Sequence, residues 1–116
     1  MYVIYNILKR KTKTEEEQMV KHIIVWKLKD KLENKAGRMN EIKTALEGLV
    51  GKIDGLLEMH ILTEGLPSSS GDLMMDSTFT DNEALKFYAS HPLHVEIADG
   101  IVRPSVETRL AFDYEV

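Results

Sequence analysis

Phe87-Tyr88-Ala89-Ser90-His91-Pro92-Leu93-His94-Val95-Glu96-Ile97 is the stretch on which the reading of this chain turns. It gathers two of the four histidines and one of the four tyrosines around a single proline. A residue before proline is driven out of the α region by the pyrrolidine ring, so His91 ends the helix that precedes it. Pro92 suits the first position of a second helix, because the N–H it lacks would have no partner there in any case. The stretch therefore reads as a helix broken in two, with His94 in the first turn of the second piece. The N-terminal end of a helix carries positive partial charge, which disfavours an imidazolium. His94 is accordingly expected to be neutral at pH 7 and able to accept a proton.

Working outward, Thr80-Asp81-Asn82-Glu83 has capping-box spacing, with Thr80 as N-cap and Glu83 three residues on. The short helix it opens can turn Ala84, Leu85 and Tyr88 to the core, and the second piece is expected to stop at Asp99-Gly100. Val106, Thr108, Leu110, Phe112 and Tyr114 then alternate with Glu107, Arg109, Asp113 and Glu115, which predicts a strand with one apolar face. Upstream, Val20–Leu28 is a β-branched run with Val20, His22, Ile24, Trp26 and Leu28 on one face and Ile23 and Val25 on the other. From about Glu33 to Lys52 the apolar residues Met39, Ile42, Leu46, Leu49, Val50 and Ile53 fall at helical steps. Leu56–Glu64 and Asp72–Phe79 read as strands. Between them Gly65-Leu66-Pro67-Ser68-Ser69-Ser70-Gly71 is a hairpin loop without the Gly-Lys-Ser/Thr of a phosphate-binding loop.

The order is β-α-β-β-α-β, with the second helix broken. Right-handed crossovers place both helices on one face of a four-stranded antiparallel sheet, an α+β ferredoxin-like arrangement. The other face is left bare. Ile23, Val25, Met59 and Ile61 are expected there, and a body of this size needs a second sheet to cover them, hence a homodimer through the sheet faces.

Composition narrows the possible functions. A chain of 116 residues supports one core. A net charge of −4 offers no basic face to nucleic acid, and 7% aromatic residues leave few rings for stacking on bases. Without cysteine there are no disulfides, thiolate metal ligands or cysteine nucleophiles, which fits a cytoplasmic protein. The apolar run Tyr2–Leu8 is far shorter than the ~20 residues of a membrane span. Its basic run, Lys9, Arg10, Lys11 and Lys13, comes after the apolar one, the reverse of a secretory signal. Residues 1–18, ending in the Glu15-Glu16-Glu17 charge block, are therefore expected to be a dispensable extension, with the domain over 19–116.

Several of these residues resemble one family. Val20-Lys21-His22-Ile23-Ile24-Val25-Trp26-Lys27-Leu28-Lys29-Asp30 is similar to the opening strand of the stress-responsive A/B barrel (Dabb) domain family. Ser77-Thr78-Phe79, then Ala84-Leu85, Tyr88 and His91-Pro92-Leu93-His94-Val95, resemble its central signature, and Asp113-Tyr114 its closing strand. The resemblance covers about residues 20–116. It implies a dimeric α+β barrel made of two ferredoxin-like subunits. Members include plant stress proteins, plant polyketide cyclases and many bacterial proteins. In the cyclases the residue matching His94 is the acid/base, and those matching His22 and Tyr88 share its pocket.

Two functional classes follow. One is a small-molecule-binding or stress-protective module, in which the polar tips of His22, Tyr88 and His94 mainly satisfy one another. The other is a cofactor-free acid/base enzyme, a lyase, isomerase or cyclase, with His94 as general base, Tyr88 polarising a carbonyl and His22 orienting the pair. An enclosed pocket reaching His94 would favour the second, and a filled interior the first. A metal site is not expected, since His91 as N-cap and His94 within the helix point different ways. Trp26, Met59, Met74 and Met75 have the character of a flat cofactor pocket, but core packing accounts for them more simply, and no cofactor is expected.

Overall fold

The computed structural model describes residues 18–116. The extension expected over residues 1–18 thus lies, apart from Gln18, outside the described residues. The elements are β1 (Val20–Leu28), α1 (Lys35–Glu47), β2 (Leu56–Leu62), β3 (Leu73–Phe79), α2 (Asn82–Ser90), α3 (Pro92–Ile97), a π turn (Ala98–Val102), α4 (Arg103–Ser105) and β4 (Val106–Glu115). The four strands form one antiparallel sheet in the order β2-β3-β1-β4, the ferredoxin-like arrangement that the element order requires.

β1 lies inside the sheet, and its burial alternates residue by residue. His22, Ile24, Trp26 and Leu28 face the helices and are nearly inaccessible, while Ile23 and Val25 on the opposite face stay half-exposed. Against this inner face pack Ile42 and Leu46 of α1, Leu49 and Ile53 beyond it, and Phe79 and Tyr88. Helix α1 begins at Asn34, whose side-chain oxygen accepts from Gly37 N–H at 3.0 Å. It stops at Glu47, earlier than its apolar stripe implies. Gly51 takes φ +89°, a left-handed conformation available to glycine, and Val50 turns outward, 40% exposed. Before it ends, α1 covers the free edge of β2. Glu47 accepts from Ile61 N–H at 2.8 Å, and Lys43 donates to the Ile61 carbonyl at 2.9 Å. An open strand edge invites pairing with another chain, and this contact blocks it.

Three expectations are corrected. Helix α2 is capped by Asp81, not Thr80: the Asp81 carboxylate accepts from Ala84 N–H at 2.8 Å. Thr80 instead donates its backbone N–H to Gly55 at 2.9 Å, and is held in the turn. Met59 and Ile61 lie not on the bare sheet face but in the core, 3% and 1% exposed. The cause is a bulge between Leu56 and Glu58, which puts an extra residue, Leu57, into β2 and inverts the alternation after it. The helical backbone does not end at Asp99-Gly100 but runs through the π turn and α4 to Ser105. The apolar face expected of β4 points away from the helices. Leu110 pairs with Val25 and Phe112 with Ile23, so all four share the outer sheet face.

Candidate functional site

The break at Pro92 forms as the sequence dictates. His91 has φ −67° and ψ 133°, and its Nδ1 accepts from Leu93 N–H at 3.1 Å, which makes it the N-cap of α3. This folds His94 back over Tyr88, with ring centroids 4.2 Å apart and planes tilted by 34°. His22 rises from β1 beneath them, its ring 6.4 Å from that of Tyr88. Phe79 packs against Tyr88 at 5.0 Å and fixes it from the β3 side. The structure thus brings together the three expected residues, His22, Tyr88 and His94, along one cavity of about 620 Å³ between the sheet and the broken helix. Ile24, Trp26, Leu46 and Met75 give the cavity an apolar floor, and Ala98 and Val102 of the π turn form part of its wall. A π turn is wider than an α turn, and such turns gather at functional sites.

The histidines are held in defined hydrogen-bonding states. His94 Nδ1 lies 3.2 Å from the Ala89 carbonyl, which only accepts. Nδ1 therefore carries the hydrogen, and in the neutral ring Nε2 presents a lone pair. Burial pushes the His94 pKa below the usual histidine value and outweighs the Ala89 bond, which acts the other way. The positive charges of Arg103, His22 and Arg109 lower it further. The helix N-terminus predicts a shift in the same direction, and burial is its main cause here. Tyr88 is 2% exposed, and burial raises its pKa, so the phenol keeps its proton. Among the described residues its hydroxyl has no hydrogen-bond partner.

His22 is anchored by a residue that sequence reasoning missed as a site residue. Its Nδ1 lies 2.5 Å from Oδ1 of Asp113, and the two are directly opposite in the β1–β4 register. The buried Ser77 hydroxyl donates to the His22 carbonyl at 2.7 Å and holds the backbone from the other side. The signal for Asp113 lay in the polar alternation of β4. Glu107, Arg109 and Asp113 share the face that turns towards the helices, and a polar inner face marks a cavity instead of a packed core.

The remaining candidates stay apart. His91 uses Nδ1 in its cap, and His60 lies on β2 opposite Asp76, a residue of the outer sheet face. Among the described residues no three side chains of metal-ligating type gather. Met74 is on the outer face, Met59 and Met75 are in the core, and Trp26 lies between core and cavity floor, so these four do not assemble one flat pocket.

Residues 20–116 match the family model of the Stress responsive A/B Barrel Domain, Dabb. A dimeric protein of ferredoxin-like fold from Bacteroides fragilis is 35% identical, covering 84% of this chain and 96% of its own, with a TM-score of 0.78. A dimeric ferredoxin-like protein from Jannaschia is 27% identical over 84% of this chain and 99% of its own, with a TM-score of 0.71. The hydroxynitrile lyase of Passiflora edulis is 20% identical, covering 86% of this chain and 94% of its own at a TM-score of 0.69, a likeness of fold. Comparison with curated protein sequences gives no match.

Proposed function

This chain belongs to the stress-responsive A/B barrel (Dabb) domain family, and from that premise we propose that it is a homodimeric protein that binds a small carbonyl compound in the cavity over His22, Tyr88 and His94. One observation carries the reading. The Tyr88 hydroxyl makes no hydrogen bond to a described residue, and its ring packs against that of a neutral His94 along the same cavity. A ligand oxygen in the cavity would give this free donor a partner. Solved relatives described as dimeric, and the apolar outer face of Ile23, Val25, Leu110 and Phe112, support the homodimer. Among the described residues no helix is long and apolar enough to cross a membrane, and a cysteine-free chain fits a cytoplasmic location. Thermal melting against small aromatic ketones tests the binding. Ligands should raise the melting temperature of the wild type and not of Ala98→Phe, which fills the cavity from the π turn. Equal shifts in both proteins would place binding elsewhere and end the proposal.

A second reading, cofactor-free acid/base turnover, is favoured by the state of His94. Nε2 would take a proton from the carbon next to the ligand carbonyl, Tyr88 would donate a hydrogen bond to the oxyanion that forms, and the His22–Asp113 pair would keep the cavity floor in place. The α-hydrogens of acetophenone in deuterated buffer report on this step. Their exchange should be accelerated by the wild type and fall to the background rate with His94→Gln. An exchange rate unchanged by that substitution would leave binding alone as the function.

A further inference from the structure

The mouth of the cavity has an excess of positive charge, although the chain carries a formal net charge of −4. Lys86, Arg103 and Arg109 line it, against the carboxylates of Glu107 and Asp113. Two of the cations are engaged: Lys86 lies 3.5 Å from Glu83, and Arg103 pairs with Asp99. Asp113 is taken by His22. Arg109 makes no ion pair with any described residue, and Glu107, two positions away on the same strand face, is not within ion-pair distance of it.

Arg109 is exposed, and a lone arginine on a solvent face needs no explanation, but this one also lines the cavity. Arg109 is directly opposite Trp26, and opposed residues of an antiparallel pair share a face. It therefore rises on the inner side, next to the cavity floor, and its charge reaches both Tyr88 and His94. Guanidinium matches a carboxylate in a bidentate fork, and in a cleft with apolar walls that attraction is stronger than in open water.

Resting on the cavity reading above, we infer that the ligand is a small organic acid whose carboxylate is bound by Arg109. Its hydrocarbon part lies against Ile24, Leu85 and Val102, and its carbonyl faces Tyr88. Binding also prepares His94. The charges acting on it, from Arg103, His22 and Arg109, all have the same sign. A bound carboxylate offsets them and makes His94 a stronger base only when ligand is present.

Calorimetric titration of the full chain with phenylpyruvate, its methyl ester and phenyl phosphate tests the assignment. The wild type should bind the acid at least about tenfold more tightly than the ester, the size expected for one charge-assisted contact. Arg109→Gln should remove that preference by weakening the acid alone, and Arg109→Lys should keep part of it. Equal binding of acid and ester by the wild type would overturn the inference and leave the cavity reading standing, as would a preference that survives Arg109→Gln. Tighter binding of phenyl phosphate than of phenylpyruvate would overturn the carboxylate in favour of a phosphate ester. No binding of any probe at millimolar concentration would overturn both the inference and the cavity reading.

Discussion

The ring of His94 lies 4.2 Å from the ring of Tyr88, and the two residues come from helices on either side of Pro92. The proline break thus does more than end a helix. It folds two polar side chains, six positions apart, onto one another at the cavity wall. Tyr88 contributes two separable things there, a ring packed between Phe79 and His94 and a hydroxyl that serves no protein group among the described residues. Tyr88→Phe keeps the first and removes the second. Stability should therefore change by less than about 1 kcal/mol, while affinity for a carbonyl ligand falls several-fold. A large drop in melting temperature with affinity intact would assign the hydroxyl to the fold instead.

His94 makes stability depend on pH in a known direction. Burial lowers its pKa in the folded chain, while the unfolded chain keeps the ordinary ~6.5. At a pH between those two values the unfolded state binds more protons, so stability rises with pH. The contribution is complete above ~6.5 and is lost as pH falls from there towards the folded value. His94→Gln should flatten this part of the stability profile, and NMR titration of His94 should give a midpoint below that of a free histidine. A midpoint above it would contradict both the burial argument and the role of proton acceptor.

The elements that were legible in the sequence are those where local pattern and tertiary environment agree. β1 alternates strictly and is covered on its inner face, so Val20–Leu28 was read with the bounds it has. The Pro92 break rests on sterics within two residues, and it too was legible. β2 failed for lack of a local cue: nothing in Leu56-Leu57-Glu58 announces a bulge, and one extra residue reverses every assignment after it, Met59 and Ile61 included. The cap at Asp81 was displaced by one residue because Thr80 and Asp81 are both good caps, and the bond from Thr80 to Gly55 decides between them. At the site, His22, Tyr88 and His94 were visible as polar residues on inward stripes. For Asp113 the alternation of β4 marked only a polar face, and its pairing with His22 depends on the β1–β4 register, which no local pattern encodes.

The His22–Asp113 contact gives a prediction of its own. Asp113 is 46% exposed, so screening limits what the bond contributes, and Asp113→Ala should cost about 1 kcal/mol or less. Its effect on orientation should be larger. With the carboxylate in place, the His22 Nδ1 hydrogen is held in a bond and exchanges slowly enough to be seen by proton NMR. That resonance should disappear in Asp113→Ala, together with part of the ligand affinity. A ring signal unchanged by the substitution would show that Ser77 and the surrounding core hold His22 without help.

The outer sheet face gives the last prediction. In the single chain Phe112 is 70% exposed and Leu110 68%, directly across from Ile23 and Val25. Contiguous apolar surface of this kind is covered in stable proteins, and solved relatives are dimeric. Light scattering should therefore find the wild type at twice the 13.2 kDa chain mass at micromolar concentration. Phe112→Glu is the informative variant, because that side chain is not in the single-chain core. Burying an unpaired carboxylate between two sheets is expensive, so the dimer should dissociate while circular dichroism still reports a folded chain. Val25→Glu should go further and unfold the protein, since Val25 lies closely packed under Gly71. A monomeric wild type, or a Phe112→Glu dimer as tight as the wild type, would rule out the sheet face as the interface.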